Sequence, residues 1–380
     1  MTHEETKKLL DEYVKFLMRE SDAEHPMWNI EKVRSGKPNK WNYIDGCMIT
    51  ALLRLYGITG DKDYLDFADS FVSFFVQEDG SIKTYDPEEY NLDNVRPACN
   101  LFALYDLTGK EKYRLAMDTV RGQLEKHPRT DEGNFWHKKI YPNQVWLDGL
   151  YMAQPFYTEY ERRYNKMTGC LDSFKQFRNV YRLMRDAGTG LYYHGYDESR
   201  EMYWADKETG HSPNFWLRAT GWYMAALIDT AEAMGEELYN EYRTLQDTLK
   251  ELADTLMNYM DPETHMFYQV INKPDAEGNY LETSGSALIA YALLKGSRLG
   301  YLPERFGKVG EEIFFGITDK YLSRNADGTP RLGGICLVAG LGGAQHRDGS
   351  LEYYFSEPVV ENDAKGTGPL IMAYTELLSR

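Results

Sequence analysis

The chain has 380 residues, of which 42% are hydrophobic and 14% aromatic, and its formal net charge is −16. This composition is typical of a globular protein with a large core. The acidic balance argues against nucleic acid or anionic membranes as partners, because both need basic patches. The first residues are charged, no run approaches the roughly 18 apolar residues of a membrane span, and the four cysteines are far apart. We therefore expect reduced thiols and a cytoplasmic protein.

A repeated motif predicts helical hairpins in the first half of the chain. The segment LYGITGDKDY at 55–64 aligns with LYDLTGKEKY at 104–113, and RRYNKMTGCLDSF at 162–174 is a weaker copy. Thr-Gly is typical of a helix C-terminus, and the next amphipathic helix starts within a few residues. Each unit is therefore an apolar helix, a tight turn and an amphipathic helix.

The apolar helices share a starting pattern of an apolar residue, an Asp and a small or polar residue. This pattern opens YIDGCMITALLRLY at 43–56, NLDNVRPACNLFALY at 91–105 and WLDGLYMAQPFYTEY at 146–160. Later units pair 217–235 with 239–259, 283–300 with 303–322, and 365–379 with the N-terminal helix 4–19. Twelve helices in six pairs predict an all-α, (α/α)6 barrel with inner and outer rings, spanning 1–380 as one domain.

The loops are expected to gather at one mouth of this barrel. Long segments precede the inner helices, at 78–91, 127–145, 188–216, 260–282 and 323–364. If the inner helices run in one direction, these segments and Asp45, Asp93 and Asp148 lie at the same end. Long loops on a rigid scaffold usually carry binding and catalytic residues.

The three aspartates have different expected roles. Asp45 is predicted to be a helix N-cap. Asp148 is flanked by Trp146 and Leu147, so burial is expected to raise the pKa of its carboxyl, and a second carboxylate nearby raises that pKa further. Asp93 and Asp148 are therefore the candidates for general acid–base work on a sugar; helix capping is the alternative for both.

Basic and aromatic residues near the mouth are candidates for ligand binding. Arg218 and Trp222 lie four apart on one helix face and offer a carboxylate fork and a stacking surface, although a structural ion pair and a core Trp would give the same pattern. His194 in LYYHGYD, with His137 and Lys138 in FWHKKIYP, would complete a local positive pocket on an acidic protein. Screening within roughly 8 Å lets such a pocket hold an anion despite the net charge.

Other motifs point away from cofactors. The glycine-rich segment GGICLVAGLGG at 333–343 lacks the Gly-Lys-Ser/Thr ending of a phosphate loop, so we interpret it as a packed loop near the mouth. No His-Glu-x-x-His, Gly-x-Ser-x-Gly or EF-hand pattern occurs in the sequence. We expect neither a metal nor a cofactor.

Four segments together resemble glycoside hydrolase family 105, the unsaturated rhamnogalacturonyl hydrolases. They are HKKIYPNQVWLDGLYMAQPF, HGYD, FWLRATGW and ENDAKGTGP, and the resemblance runs from about residue 40 to the end. It implies an (α/α)6 barrel and a short anionic oligosaccharide that ends in a 4,5-unsaturated galacturonic acid, typically next to rhamnose. It also implies protonation of the double bond at carbon 4, addition of water at carbon 5, and collapse of the hemiketal with release of the neighbouring sugar.

The resemblance also assigns residues. Asp148 matches the proton donor and water activator, and Asp93 matches the second acid. The residues that match substrate-binding or lining positions are His194, Arg218, Trp222, Trp146, His137, Lys138, Trp216 and Tyr43. A monomer is favoured, and neither a nucleic-acid nor a membrane partner is expected.

Several alternatives stay open from the sequence. The sister family of unsaturated glucuronyl hydrolases shares the fold and mechanism but acts on glycosaminoglycan fragments. A non-catalytic sugar-binding protein would keep the aromatic residues but need neither acid. Sugar 2-epimerases rely on paired histidines, and metal-dependent cyclases on this barrel need Cys and Cys-His ligands; neither set is evident in this sequence.

Overall fold

The architecture is a double ring of helices, which confirms the predicted (α/α)6 barrel. A computed structural model describes residues 2–380. Its α-helices are α1 (His3–Arg19), α2 (Ile30–Ser35), α3 (Tyr43–Thr59), α4 (Lys62–Phe75), α5 (Cys99–Thr108), α6 (Glu111–Lys126), α7 (Leu147–Tyr164), α8 (Cys170–Met184), α9 (Leu217–Met234), α10 (Tyr239–Leu256), α11 (Thr283–Arg298), α12 (Glu304–Tyr321), α13 (Leu351–Ser356) and α14 (Ala364–Leu378).

The inner ring consists of α3, α5, α7, α9, α11 and α14, and each packs against its neighbours in that order until α14 meets α3. Between α5 and α7 the contact is made by the short turns that precede α5. These helices are apolar on nearly every side, and almost every residue of α9 and α11 is buried. Helices that are hydrophobic all round are stable only when surrounded by protein, which explains their inner position.

The outer ring consists of α1, α4, α6, α8, α10 and α12. These helices are amphipathic and bury one stripe each against the inner ring. The repeated Thr-Gly motif ends α3 and α5 as predicted, because Gly60 and Gly109 adopt left-handed backbone angles with φ of 69° and 66°. Their amides donate to the carbonyls of Tyr56 and Tyr105 and so close each helix.

The second inner helix begins later than predicted. Residues Leu92–Asn94 and Arg96–Ala98 form 3-10 turns, and α5 starts at Cys99. Pro97 explains the delay, since its ring disfavours a helical residue before it and it has no amide to donate. The irregular turn leaves Asp93 in a loop-like position at the mouth instead of on a regular helix.

The segments at the mouth add three small antiparallel pairs of strands. β1 (Gln144–Trp146) pairs with β2 (Gly195–Asp197), β3 (Leu322–Arg324) with β4 (Pro330–Leu332), and β5 (Ile335–Cys336) with β6 (Val359–Val360). The β1–β2 register places Trp146 opposite Gly195. These strands hold the loops that carry the candidate residues against the starts of the inner helices.

The opposite end of the barrel is held together by buried charges. Lys295 of α11 lies 2.6 Å from Asp229 of α9, and Arg298 lies 2.5 Å from Glu376 of α14. Arg54 of α3 reaches towards both carboxylates, at 3.7 Å and 3.5 Å. Although burial opposes its charge, Lys295 and Arg54 lower the pKa of Asp229 to about 2. No helix within residues 2–380 has the length and apolar character needed to cross a membrane.

Candidate active site

Asp148 and His194 form the centre of the mouth. Asp148 lies in the first turn of α7, and His194 directly precedes β2. His194 is fully buried, and its Nε2 atom lies 3.3 Å from Oδ2 of Asp148, whose side chain is 13% exposed. On the other side of the ring, Nδ1 of His194 shares a 2.7 Å hydrogen bond with the Tyr354 hydroxyl. The histidine therefore connects the carboxyl group to α13.

Asp93 lies in the same mouth, paired with a lysine. Its Oδ2 atom is 2.5 Å from Nζ of Lys138, and its Oδ1 atom is 3.5 Å from Nε2 of His137. Burial raises the pKa of Asp93, but Lys138 and His137 outweigh that effect and lower the pKa below its usual value. Asp93 is therefore an anion at neutral pH. Burial likewise opposes the charge of Lys138, and Asp93 raises the lysine pKa.

The expectation that His137 contributes positive charge is wrong. Burial lowers the pKa of His137 to about 4, although Asp93 favours the charged form. The ring is neutral at neutral pH and stacks on Trp146, with centroids 4.4 Å apart. Its Nδ1 atom would lie 3.1 Å from a side chain added at Gly149, beside Asp148. His137 thus stands between the two acids as a neutral ring.

Asp45 does not belong to this group, and its predicted N-cap role is also wrong. Asn42 caps α3 by accepting from the Asp45 amide at 3.0 Å. The Asp45 carboxylate lies in the first turn, turned towards α2, and accepts from four buried or half-buried side chains: Trp28, Asn29, Asn39 and Asn42. Burial raises the pKa of Asp45, while these donors favour the charged form. Its role is structural.

Arg218 is a buried cation without a carboxylate partner. Among residues 2–380 no carboxylate oxygen lies within 4.0 Å of its guanidinium; it donates instead to the Cys336 carbonyl at 2.6 Å and to Ser284 Oγ at 3.2 Å. Burial disfavours the charge, but nearby Cys336 and Glu282 raise the pKa of Arg218, which stays charged. The guanidinium also lies 4.8 Å from the ring centre of Trp216. An unpaired buried charge of this kind favours an anionic ligand.

The remaining predicted residues occupy different depths. Trp216 is tilted against His194, with centroids 4.8 Å apart, and Trp146 meets the same ring edge-on at 5.6 Å. Trp222 lies one turn deeper than Arg218, is 1% exposed, and stacks on Tyr151 at 4.7 Å. Tyr43 is the half-buried first residue of α3; burial, together with the Glu31 and Asp93 carboxylates, raises the pKa of its hydroxyl well above the usual value.

Several polar atoms of this cluster lack protein partners within the described part of the chain. They are Asp148 Oδ2, His194 Nε2, His137 Nδ1 and Trp216 Nε1, all buried. The 3.3 Å contact of Asp148 with His194 lacks the alignment of a full hydrogen bond. Buried polar atoms are normally paired, so their concentration here is typical of a ligand site. Nowhere in residues 2–380 do three His, Cys, Asp or Glu side chains gather as a metal site would require.

Sequence reasoning missed several residues of the mouth, including two tyrosines. Tyr354, on α13, holds His194, and Tyr141 stacks on Trp146 with centroids 5.1 Å apart. Tyr354 is 160 positions from His194 in the chain, and no local pattern links them. The glycine-rich segment packs as expected, because its Cys336 carbonyl accepts from Arg218.

The chain is similar to known glycoside hydrolases in sequence and fold. The model of Glycosyl Hydrolase Family 88 matches residues 11–380. A solved family 105 glycoside hydrolase from C. acetobutylicum ATCC 824 is 41% identical, with a TM-score of 0.89, and the match covers 97% of this chain and 100% of that one.

Two curated relatives are also similar. Protein Atu3128 of Agrobacterium fabrum is 39% identical over 60% of this chain and 98% of its own length. The unsaturated rhamnogalacturonyl hydrolase YesR of Bacillus subtilis is 26% identical over 68% of this chain and 72% of its own length.

The fold and these matches define a glycoside hydrolase built on an α/α barrel. The chain belongs to the unsaturated uronyl hydrolases of glycoside hydrolase families 88 and 105.

Proposed function

We propose that this protein removes a 4,5-unsaturated galacturonic acid from the non-reducing end of rhamnogalacturonan oligosaccharides. The observation that carries the proposal is the unpaired Arg218 cation beside the Asp148–His194 pair, with Trp216 between them. A carboxylate bound at Arg218 would put the ring of an unsaturated uronate next to Asp148. The similarity to YesR, whose name states a rhamnogalacturonyl activity, supports this substrate class.

Asp148 is assigned the proton transfers. Its carboxyl gives a proton to carbon 4 of the double bond, and the electron pair of that bond forms the new carbon–hydrogen bond. Positive charge develops at carbon 5 and the ring oxygen. The carboxylate left on Asp148 then takes a proton from water as the water oxygen bonds to carbon 5. The hemiketal opens and the neighbouring sugar leaves, so that one water is consumed per bond broken.

The other residues contact Asp148, stabilise the positive charge or bind the sugar carboxylate. Burial raises the pKa of Tyr354 well above its usual value, so its hydroxyl keeps its proton and can donate to Nδ1 of His194. The hydrogen is then on Nε2, the ring nitrogen that lies 3.3 Å from the Asp148 carboxyl. Asp93, held as an anion by Lys138, stabilises the positive charge near the ring oxygen. Arg218 holds the sugar carboxylate.

The test is Asp148→Asn, which keeps the shape of the side chain but cannot donate or accept the proton. We expect kcat to fall by about 10²–10⁴-fold, the usual contribution of a positioned acid–base group. Turnover is followed by the loss of ultraviolet absorbance of the double bond in an unsaturated rhamnogalacturonan disaccharide. The matched control is the same substitution at Asp63, an exposed residue in the first turn of α4, which should leave kcat unchanged. Full activity of Asp148→Asn would exclude the mechanism.

A second substrate distinguishes the proposed rhamnogalacturonyl hydrolase activity from a glucuronyl hydrolase activity. An unsaturated chondroitin disaccharide, assayed under the same conditions, reports the glucuronyl hydrolase activity expected of the sister family. Faster turnover of that disaccharide would replace the proposed substrate while keeping the chemistry. Binding of either sugar without loss of absorbance would instead support a non-catalytic sugar-binding protein.

A further inference from the structure

A row of aromatic rings crosses the mouth and has an arginine at each end. Trp216 and His194 are 4.8 Å apart, His194 and Trp146 are 5.6 Å apart, and Trp146 and Tyr141 are 5.1 Å apart. Arg218 lies over the first ring, and at the other end Nη2 of Arg347 donates to the Tyr141 hydroxyl at 2.9 Å. Asp148 contacts the middle of the row through His194. The two guanidinium groups therefore lie at the two ends of this series of contacts, and the proposed acid lies beside its middle.

Arg347 is fixed in place by neutral acceptors. Its Nε atom donates to the Gly342 carbonyl at 2.9 Å, and Nη2 reaches the Leu341 carbonyl at 3.4 Å as well as Tyr141. A side chain at Gly340 would come within 2.7 Å of Nη1, so the guanidinium would have to shift to make room for it. The arginine is half-buried and its orientation is set before any ligand binds.

Arg347 forms no salt bridge, although its charge favours the ionised form of Glu357. Among residues 2–380 no carboxylate oxygen lies within 4.0 Å of it, and its Nη1 atom donates to no protein acceptor. Most other arginines are paired; Arg331, for example, lies 2.7 Å from Glu361. Arg347 contacts Tyr141, and the backbone amide of Tyr141 donates to the Lys138 carbonyl at 2.9 Å. Through Nη2 and Tyr141, the guanidinium is therefore connected to the loop that also carries Lys138, the partner of Asp93.

We propose that Arg347 binds an anionic group on the saccharide that is released, beyond the bond that is broken. This inference rests on the proposed function and extends it to the leaving-group side. With the terminal uronate held at Arg218, the rest of the oligosaccharide extends along the aromatic row towards Arg347. A planar guanidinium with a free edge suits a carboxylate, as on the second uronate of an alternating chain, or a sulfate ester. Arg347 is then a specificity residue for acidic leaving groups.

The test compares two pairs of substrates that differ in the anion on the released part. One pair is the unsaturated rhamnogalacturonan disaccharide and tetrasaccharide, and the other is the unsaturated chondroitin disaccharide with and without sulfate. The wild-type protein is expected to show a higher kcat/KM for the more acidic member of one pair. The ratio of kcat/KM for the more acidic substrate to kcat/KM for the less acidic one should fall about tenfold in Arg347→Gln, which is the effect of one charge-assisted hydrogen bond. Arg347→Lys should give an intermediate ratio. The pair that responds identifies the anion as carboxylate or sulfate.

Two controls separate this inference from a structural effect and from the proposed function. Arg178→Gln makes the same change at an exposed position on α8 and should leave the ratio unchanged. In the wild type, added salt should reduce the ratio because it screens a half-exposed charge, and Arg347→Gln should lose that salt dependence even if its melting temperature drops. Equal ratios in wild type and Arg347→Gln for both pairs overturn the role of Arg347. Failure of the wild type to convert any of the four substrates refutes the proposed function itself.

Discussion

Mild acid should destabilise the protein through His137, a residue that lies between the two proposed catalytic acids. Its folded pKa is about 4, against about 6.5 when unfolded, because burial disfavours the imidazolium. The sign follows from proton binding: between these values the unfolded chain binds more protons than the folded one, so stability falls as pH falls from about 6.5 towards about 4. From pH 7 to pH 5 this single group costs about 2 kcal/mol of unfolding free energy.

The measurement is urea unfolding followed by tryptophan fluorescence at pH 7 and pH 5. We expect His137→Gln to lose about 2 kcal/mol less than wild type between the two pH values, whatever its stability at pH 7. His127→Gln should behave in the same way, because burial also lowers the pKa of His127 to about 4. The control is His25→Gln, an exposed site. If wild type and His137→Gln lose the same free energy, His137 is not the buried neutral group described above.

Two further substitutions test other parts of the structure. Asp45→Ala should lower the unfolding free energy by about 3 kcal/mol or more, because it leaves buried donors from Trp28 and Asn39 unpaired. Chemical denaturation measures this change, and a loss below about 1 kcal/mol would contradict the structural role given to Asp45. Lys138→Met should move the acid limb of the kcat/KM profile to higher pH, because Asp93 loses the cation that lowers its pKa; an unchanged profile would show that ionised Asp93 is not needed.

Much of the fold follows from short-range signals. The Thr-Gly stops at Gly60 and Gly109 and the all-round apolar character of the inner helices are local properties, so the double ring could be predicted without any long-range information. The boundaries were less predictable where local chemistry is ambiguous. Asn42 and Asp45 are both good capping residues, and only the backbone shows that Asn42 caps α3. Pro97 was a visible signal that the start of α5 is delayed.

The candidate site was only partly predictable. Asp148 and Asp93 lie near helix starts and Lys138 lies in the loop before α7, so all three could be placed at the mouth by the repeat. Tyr354 and Arg347 come from the long segment 323–364, which has no periodicity, so no pattern relates them to the residues they contact. The charge of His137 was predicted wrongly because its pKa depends on burial by distant parts of the chain.

The position of α14 between α11 and α3 has a consequence for how the chain is made. As the polypeptide leaves the ribosome, five inner helices emerge before α14. Until then, the surfaces of α3 and α11 that α14 will cover remain exposed to solvent. During that interval the nascent protein exposes two apolar helix surfaces, to which chaperones or a neighbouring nascent copy can bind. The barrel is therefore expected to become resistant to proteases only after residues beyond about 364 have been synthesised.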